Sequence, residues 1–268
     1  MIDISVIIPT YNRERLIGKA IESVLKQEGD GEAFKIKEIW IVDDGSSDDT
    51  EAVVRVFRDE RINYYKQKNG GAGCARNQGV RLAQSEWIAF QDSDDIWRSN
   101  KLKKQTEYLN EHKDCLMVVH PIRAFFIDGS EICMKIPPIE DQIKALAEHN
   151  FVDTPTILVN REIFLECGGF DESFRALEDW EYAIRFADKY EIGIIREILL
   201  DADMTTSDIS SDRGKYFKFR SCFIAKNRAI FQKHGCFENA VKSFLEFAQS
   251  EGVLEQAGKM LELYLKQY

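Results

Sequence analysis

The chain has 268 residues, 44% of them apolar, and a formal net charge of −10, which is enough apolar material for one large core and excludes disorder. The acidity argues against a general nucleic-acid binder, whose phosphate affinity comes from accumulated Lys and Arg. The longest apolar runs, such as Val6-Ile7-Ile8 and Ile39-Trp40-Ile41-Val42, are strand-sized and fall far short of the roughly 20 residues that span a bilayer. Met1-Ile2-Asp3-Ile4 carries an acid where a signal peptide carries bases, so a cytoplasmic protein is expected. Six cysteines lie far apart without a C-x-x-C pair and read as reduced thiols.

The first hundred residues alternate strand-like and helix-like segments. Ile4–Ile8 is followed by Arg13–Gln27, Glu38–Val42 by Thr50–Arg58, Ile62–Tyr65 by Ala72–Gln84, and Trp87–Phe90 by Lys101–Asn110. Such alternation predicts a mostly parallel, Rossmann-like sheet with helices on both faces. Ligands of such sheets bind at the carboxyl ends of the strands. The unusual loops fall at those ends: Pro9-Thr10-Tyr11-Asn12-Arg13, Asp43-Asp44-Gly45-Ser46 and Gln91-Asp92-Ser93-Asp94-Asp95. The last packs three carboxylates into four residues after a buried strand. Asp92 and Asp94 offer hard oxygen ligands suited to Mg²⁺ or Mn²⁺, which in turn bind phosphate oxygens. Taken alone, the same acids also suit a loop that caps the following helix.

The second half is less regular. Ile122–Ile127 and Glu131–Lys135 flank Asp128-Gly129 as a hairpin. Pro137-Pro138 precedes a helical stretch at Glu140–His149, and Pro155–Val159 reads as a strand before the Gly168-Gly169 turn. Leu177–Phe186 has helical spacing with Glu178 and Asp179 in its first turn, where acids favour the helix dipole. From Arg213 to His234 there are seven Lys or Arg residues and no acid, interleaved with aromatics. That pattern fits an amphipathic helix on an anionic membrane, or a helix whose aromatics pack on the main body. Glu238–Tyr268 reads as one or two further helices.

Six segments then stand in the order and spacing of the family 2 glycosyltransferases. They are Val6–Arg13, Ile41–Asp48, Gly71–Gly79, Asp92–Asp95, Gly168–Asp171 and Glu178-Asp179, and the resemblance runs from about residue 3 to about residue 190. It implies the GT-A fold, a nucleotide-sugar donor, a divalent Mn²⁺ or Mg²⁺ and inversion at the anomeric carbon. By this resemblance the Thr10 and Tyr11 loop walls the base pocket, with Pro9 and Arg13 beside it in the donor nucleotide site, and Asp44, with Asp43 beside it, reads the nucleobase. Arg76 and Ser93 lie near the donor, Asp92 near ribose and metal, and Asp94 ligates the metal. Asp179 matches the catalytic base and Glu178 its partner. Trp180 and Asp95 are acceptor-side candidates, Trp180 being equally suited to the core.

Many relatives carry an Arg-x-His segment after the last strand, whereas this chain reads Leu200-Asp201-Ala202-Asp203-Met204-Thr205-Thr206-Ser207 there. The expected organisation is a GT-A domain at 1–205, with a nucleotide-binding half at about 1–95 and an acceptor half at 96–205, and a helical extension at 206–268. The expected activity is transfer of a sugar, most simply from a UDP-sugar, to a glycan or lipid-linked hydroxyl in surface polysaccharide synthesis. The setting is cytoplasmic and, through residues 213–234, peripheral at the inner face of the plasma membrane. A nucleotidyltransferase fits less well, because Pro9–Arg13 lacks the glycines of a triphosphate loop. A silent nucleotide-sugar-binding module is the other alternative.

Overall fold

The computed structural model describes residues 1–204 and 213–268. In chain order its strands are β1 (Ile2–Thr10), β2 (Phe34–Asp43), β3 (Ile62–Lys66), β4 (Trp87–Phe90), β5 (Ile96–Trp97), β6 (Met117–Val119), β7 (Ile122–Phe126), β8 (Glu131–Met134), β9 (Leu158–Asn160), β10 (Gly193–Ile194) and β11 (Leu200–Met204). The helices are α1 (Ile17–Leu25), α2 (Thr50–Val54), α3 (Ala72–Leu82), α4 (Lys101–Glu111), α5 (Gln142–Glu148), α6 (Arg161–Glu166), α7 (Glu178–Ala187), α8 (Arg213–Lys226), α9 (Arg228–Lys233), α10 (Phe237–Ser250) and α11 (Leu254–Gln267). Seven strands form the main sheet in the order β10-β6-β9-β4-β1-β2-β3. Neighbours pair in parallel except at β9, which runs antiparallel to both β4 and β6. A smaller sheet, β5-β11-β7-β8, stands beside it.

The period of two along β1 explains why helices cover both faces. Ile4, Val6 and Ile8 are fully buried in a cluster with Ile17, Ile21 and Val24 of α1, while Ile7 enters the opposite cluster with Val80 of α3. Helix α3 can approach only because residue 79 is glycine: a Cβ there would stand 2.4 Å from Ile7 Cγ2.

Where structure and sequence pattern differ, the cause is local. Pro155 has no amide proton to give a sheet, so Thr154–Thr156 forms a 3₁₀ turn and the strand begins at Leu158. The acids of β11 resemble loop residues, yet Asp201 accepts from Arg98 and, through both oxygens, from Arg123 at 2.9–3.0 Å. Those pairs offset the acid's poor strand propensity. The 205/206 boundary, with Thr205, Thr206 and Ser207, lies outside the described residues.

Of the two readings of the basic segment 213–234, the structure takes the one in which its aromatics pack on the main body. It breaks into α8 and α9 at Asn227, whose side chain donates to Phe223 O at 3.0 Å. Phe217, Phe219, Phe223 and Phe231 are buried in one cluster with Phe90 and Trp180, so the aromatic face suited to a membrane is spent on the core. Arg220 is 1% exposed, with its guanidinium 3.6 Å over the Trp180 ring and bonds to the carbonyls of Ala147 and Glu148. Lys226 pairs with Asp171 and Lys233 with Asp188. Among the described residues no helix is long and apolar enough to cross a membrane.

Candidate functional site

The loops after β1 and β2 are stitched together. Asn12 adopts a left-handed conformation (φ 51°); its amide donates to Ser46 Oγ at 2.8 Å and its Oδ1 accepts from the Ser47 amide at 2.8 Å. Pro9 and Thr10 are buried, Tyr11 is exposed, and Thr10 Oγ1 is enclosed without a hydrogen-bond partner. Arg13 extends to within 3.3 Å of Asp94 Oδ2, joining the first loop to the acidic turn after β4.

Asp43 and Asp44 organise this end of the sheet. Asp43 is wholly buried and accepts from the Tyr64 hydroxyl and, at 2.6 Å, from the Ser46 amide. Burial, and then the Asp43 charge, push the Tyr64 hydroxyl well above the usual range. Asp44 accepts from Gln67 Nε2 at 2.8 Å and from the amides of Gly70 and Gly71 at 2.7 Å. The nucleobase-reading role implied by resemblance therefore falls on a carboxylate already holding three loop donors.

Arg76 on α3 is the centre of the site. Its NH2 donates to Asp92 Oδ1 at 2.6 Å and its NH1 to Glu178 Oε1 at 2.7 Å, partners 16 and 102 residues away in sequence. Burial opposes its charge, but Asp92 and Glu178 outweigh that and hold the guanidinium above its ordinary range. The turn before α7 is fixed by Asn77, which accepts from the Phe170 amide at 2.9 Å and donates to the Phe170 carbonyl at 2.7 Å. Gly169 (φ 63°) is needed there, because a Cβ would stand 2.8 Å from Asn77 Oδ1. Leu177, directly before Glu178, is left-handed at φ 62°; it and Asn12 are the non-glycine residues with positive φ among those described. Both flank the site, where stored strain is concentrated in functional proteins.

Asp179 is a strongly perturbed carboxyl of the site. Burial, then Glu178 and Asp153, push it up to about 8. Asn150 Nδ2 lies 3.3 Å from one of its oxygens, and the Thr154 amide and hydroxyl 3.3 Å from the other. Asp153 is itself raised to about 6 by burial and by Asp92. Asn150, Asp153 and Thr154 escaped the sequence reading. Asn150 and Asp153-Thr154 flank apolar Phe151-Val152 before Pro155, and nothing local ties them to residue 179.

Both acceptor-side candidates are buried. Trp180 is 4% exposed, donates its indole N–H to Leu146 O at 2.7 Å and packs on Phe223, so it is a core residue. Asp95 is 7% exposed; its Oδ1 accepts from the Asp203 amide at 3.2 Å, tying the acidic turn to β11. Its proton is held well above the usual carboxylate range by burial, then by Asp92 and Asp94. Ser93 is buried beside it.

Among the described residues no three His, Cys, Asp or Glu side chains form a complete metal-binding group. Asp92 and Asp94 offer at most two carboxylates, a donor set that fits Mg²⁺ or Mn²⁺ completed by water and phosphate oxygens rather than a closed protein cage.

A mostly parallel sheet with acids gathered at its carboxyl edge and helices on both faces defines an α/β fold that solved structures share. TarS 1-349 of S. aureus in complex with UDP-GlcNAc matches with a TM-score of 0.65 at 18% identity, over 98% of this chain and 89% of that one. The mannosyltransferase PcManGT of Pyrobaculum calidifontis, in complex with GDP-Man and Mn²⁺, matches with a TM-score of 0.68 at 18% identity, over 97% and 74%. The fold is GT-A. The family model for glycosyl transferase family 2 matches residues 5–168, and the chain belongs to that family. An uncharacterized glycosyltransferase of Methanocaldococcus jannaschii is 28% identical over 87% of this chain and 81% of its own length. ExoO, a succinoglycan biosynthesis protein of Rhizobium meliloti, is 31% identical over 66% of this chain and 53% of its own length.

Proposed function

We propose that this protein is an inverting glycosyltransferase that moves a sugar from a nucleoside diphosphate sugar, UDP first among the candidates, to a hydroxyl of a glycan or lipid-linked acceptor in surface polysaccharide synthesis. The observation that carries the reading is the Arg76 bridge, which joins the acidic end of β4 to the first turn of α7. Family membership supports transfer, ExoO supports a polysaccharide setting, and TarS and PcManGT support a nucleotide-sugar donor. The proposed setting is cytoplasmic.

Asp179 is the proposed general base. Inversion requires a carboxylate that takes the acceptor hydroxyl's proton on the face opposite the leaving nucleotide. With its proton held to about pH 8 the carboxyl rests largely protonated at neutrality, so turnover rises with pH between about 7 and 9. Arg76 holds Glu178 and Asp92 in place through its two hydrogen bonds, and Thr10, Tyr11 and Arg13 wall the nucleotide. Asp94 and Asp92 would hold a Mn²⁺ or Mg²⁺ ion, which when bound stabilises charge on the departing diphosphate.

The test is calorimetric titration of UDP, GDP and dTDP with and without Mn²⁺, beside an Asp94→Ala control. Metal-dependent binding of one nucleotide, lost in the control, is expected and selects the sugars to assay. Absence of binding by all three would reduce the reading to the fold.

A further inference from the structure

The carboxyl of Asp179 is oriented from outside its own helix. The chain between α5 and β9 crosses the start of α7, and there it presents three hydrogen-bond donors. Asn150 Nδ2 reaches Oδ1, and the Thr154 amide and hydroxyl both reach Oδ2, each at 3.3 Å. Within α7 the Trp180 amide donates to Oδ1 at 2.7 Å. Both oxygens are therefore engaged. The distances from the crossing segment are at the long edge of hydrogen bonding, as polar contacts at active sites often are before substrate arrives.

The crossing segment is itself well anchored. Asn150 Oδ1 accepts from the Val152 amide at 3.0 Å, closing a small turn, and the side chain of Val152 is fully buried. Thr154 is 3% exposed and opens the 3₁₀ turn into β9. The donors thus sit on a segment anchored by buried Val152 and Thr154, and they meet a carboxyl that follows the left-handed Leu177 backbone.

We propose that Asn150 and Thr154 are positioning residues for Asp179, their side chains fixing the plane of its carboxyl for transfer of the acceptor hydroxyl's proton. This rests on the reading of Asp179 as the base. Hydrogen bonds to a carboxylate favour its charged form, so the two side chains also oppose the groups that keep it protonated. Those groups are Glu178 on the same helix and Asp153 from the crossing segment, with Arg76 of α3 acting in the same sense as Asn150 and Thr154.

The experiment uses the full chain with ¹³C-labelled aspartate carboxyls. The Asp179 resonance is identified by its loss in Asp179→Asn and titrated between pH 5 and 10 in the parent, Thr154→Val, Thr154→Ser and Asn150→Ala. Loss of one hydrogen bond to a charged group should raise the midpoint by about half a unit or more in Thr154→Val and in Asn150→Ala. Thr154→Ser, which keeps the hydroxyl, should restore it. In a transfer assay with the nucleotide sugar chosen by calorimetry, kcat should fall in Thr154→Val with little change in donor KM. Thr154→Val is nearly isosteric and Asn150 lies on a half-buried loop, so each variant reads independently if the other fails to fold. An unchanged midpoint in a folded variant overturns the inference. The titration needs no turnover, so this failure is distinct from failure of the base assignment, which an active Asp179→Asn would reveal.

Discussion

On the proposed donor side, residues 9–13, 43–46 and 91–95 lie at the carboxyl ends of β1, β2 and β4, and neighbouring loops hold one another through contacts such as Asn12 with Ser46 and Ser47. On the side of the proposed base, Glu178 and Asp179 open a helix outside the sheet and are placed by side chains from distant segments: Arg76, Asn77, Asn150 and Thr154. The first side is built by topology, because any parallel sheet delivers its strand ends to one edge. The second is built by a few polar contacts, each of which can be removed singly. Substitutions on the base side should therefore change chemistry and stability sharply, while changes on the exposed surface do little.

The largest effect is expected at Asp179. Asp179→Asn keeps the shape and removes the proton acceptor, so transfer should fall by about 10²–10⁴-fold, the range for loss of a positioned general base. Nucleotide binding by calorimetry should survive. Equal losses of binding and turnover would move Asp179 from the chemistry to the architecture of the site.

Arg76→Met is the next test, because it cuts the link between the two sides. Arg76 is 7% exposed and Glu178 14%, and breaking such an enclosed ionic cluster by removing one partner costs about 3–5 kcal/mol. Chemical denaturation should show that loss, and nucleotide binding should weaken as Asp92 loses its anchor. A variant of parental stability would mean that the two sides are held independently.

This contrast also explains what the sequence reveals. The parallel core and the acidic loops were legible because strand periodicity and unusual composition are local signals. Short strands such as β6 and β10 carry too few residues for a period, and β11 hides behind acids whose Arg partners lie far away. The crossing segment at 150–154 was invisible for the same reason, since its meaning depends on residue 179. Arg220 shows the opposite error: within a basic, aromatic run it resembles a surface charge, but it lies flat on Trp180 in the core. Burial lowers its proton affinity to about 9, a sign of how dry that position is. Arg220→Ala should accordingly cost about 2–4 kcal/mol by thermal or chemical melting, through a lost cation–π contact and the lost hydrogen bond to the Ala147 carbonyl, while Glu148 O keeps the Ser243 hydroxyl. Lys218→Glu, on the exposed face of the same helix, should stay within about 0.5 kcal/mol. Equal effects would place Arg220 back on the surface and revive a membrane-facing role for the helix.

The last expected effect has the opposite sign. Among the described residues no hydrogen-bond donor reaches the Asp153 carboxyl, and burial, with Asp92 nearby, lifts its proton affinity to about 6 against an ordinary 3.8. A carboxyl raised in the folded state binds its proton more tightly there than in the unfolded chain, so its contribution to stability declines as pH climbs from about 4 to about 6 and stays diminished above that. Asp153→Asn removes that penalty. The variant should match the parent near pH 4 and exceed it by about 1–3 kcal/mol at pH 8, read as a pH-dependent difference in denaturation midpoint. It should also lower the midpoint of Asp179 from about 8, since Asp153 is one of the charges that push it up. That shift runs opposite to the one expected for Thr154→Val, and together the two variants separate charge crowding from hydrogen bonding at the same carboxyl. A stability difference independent of pH would show that Asp153 is well solvated, and the base would then owe its protonation to burial and Glu178 alone.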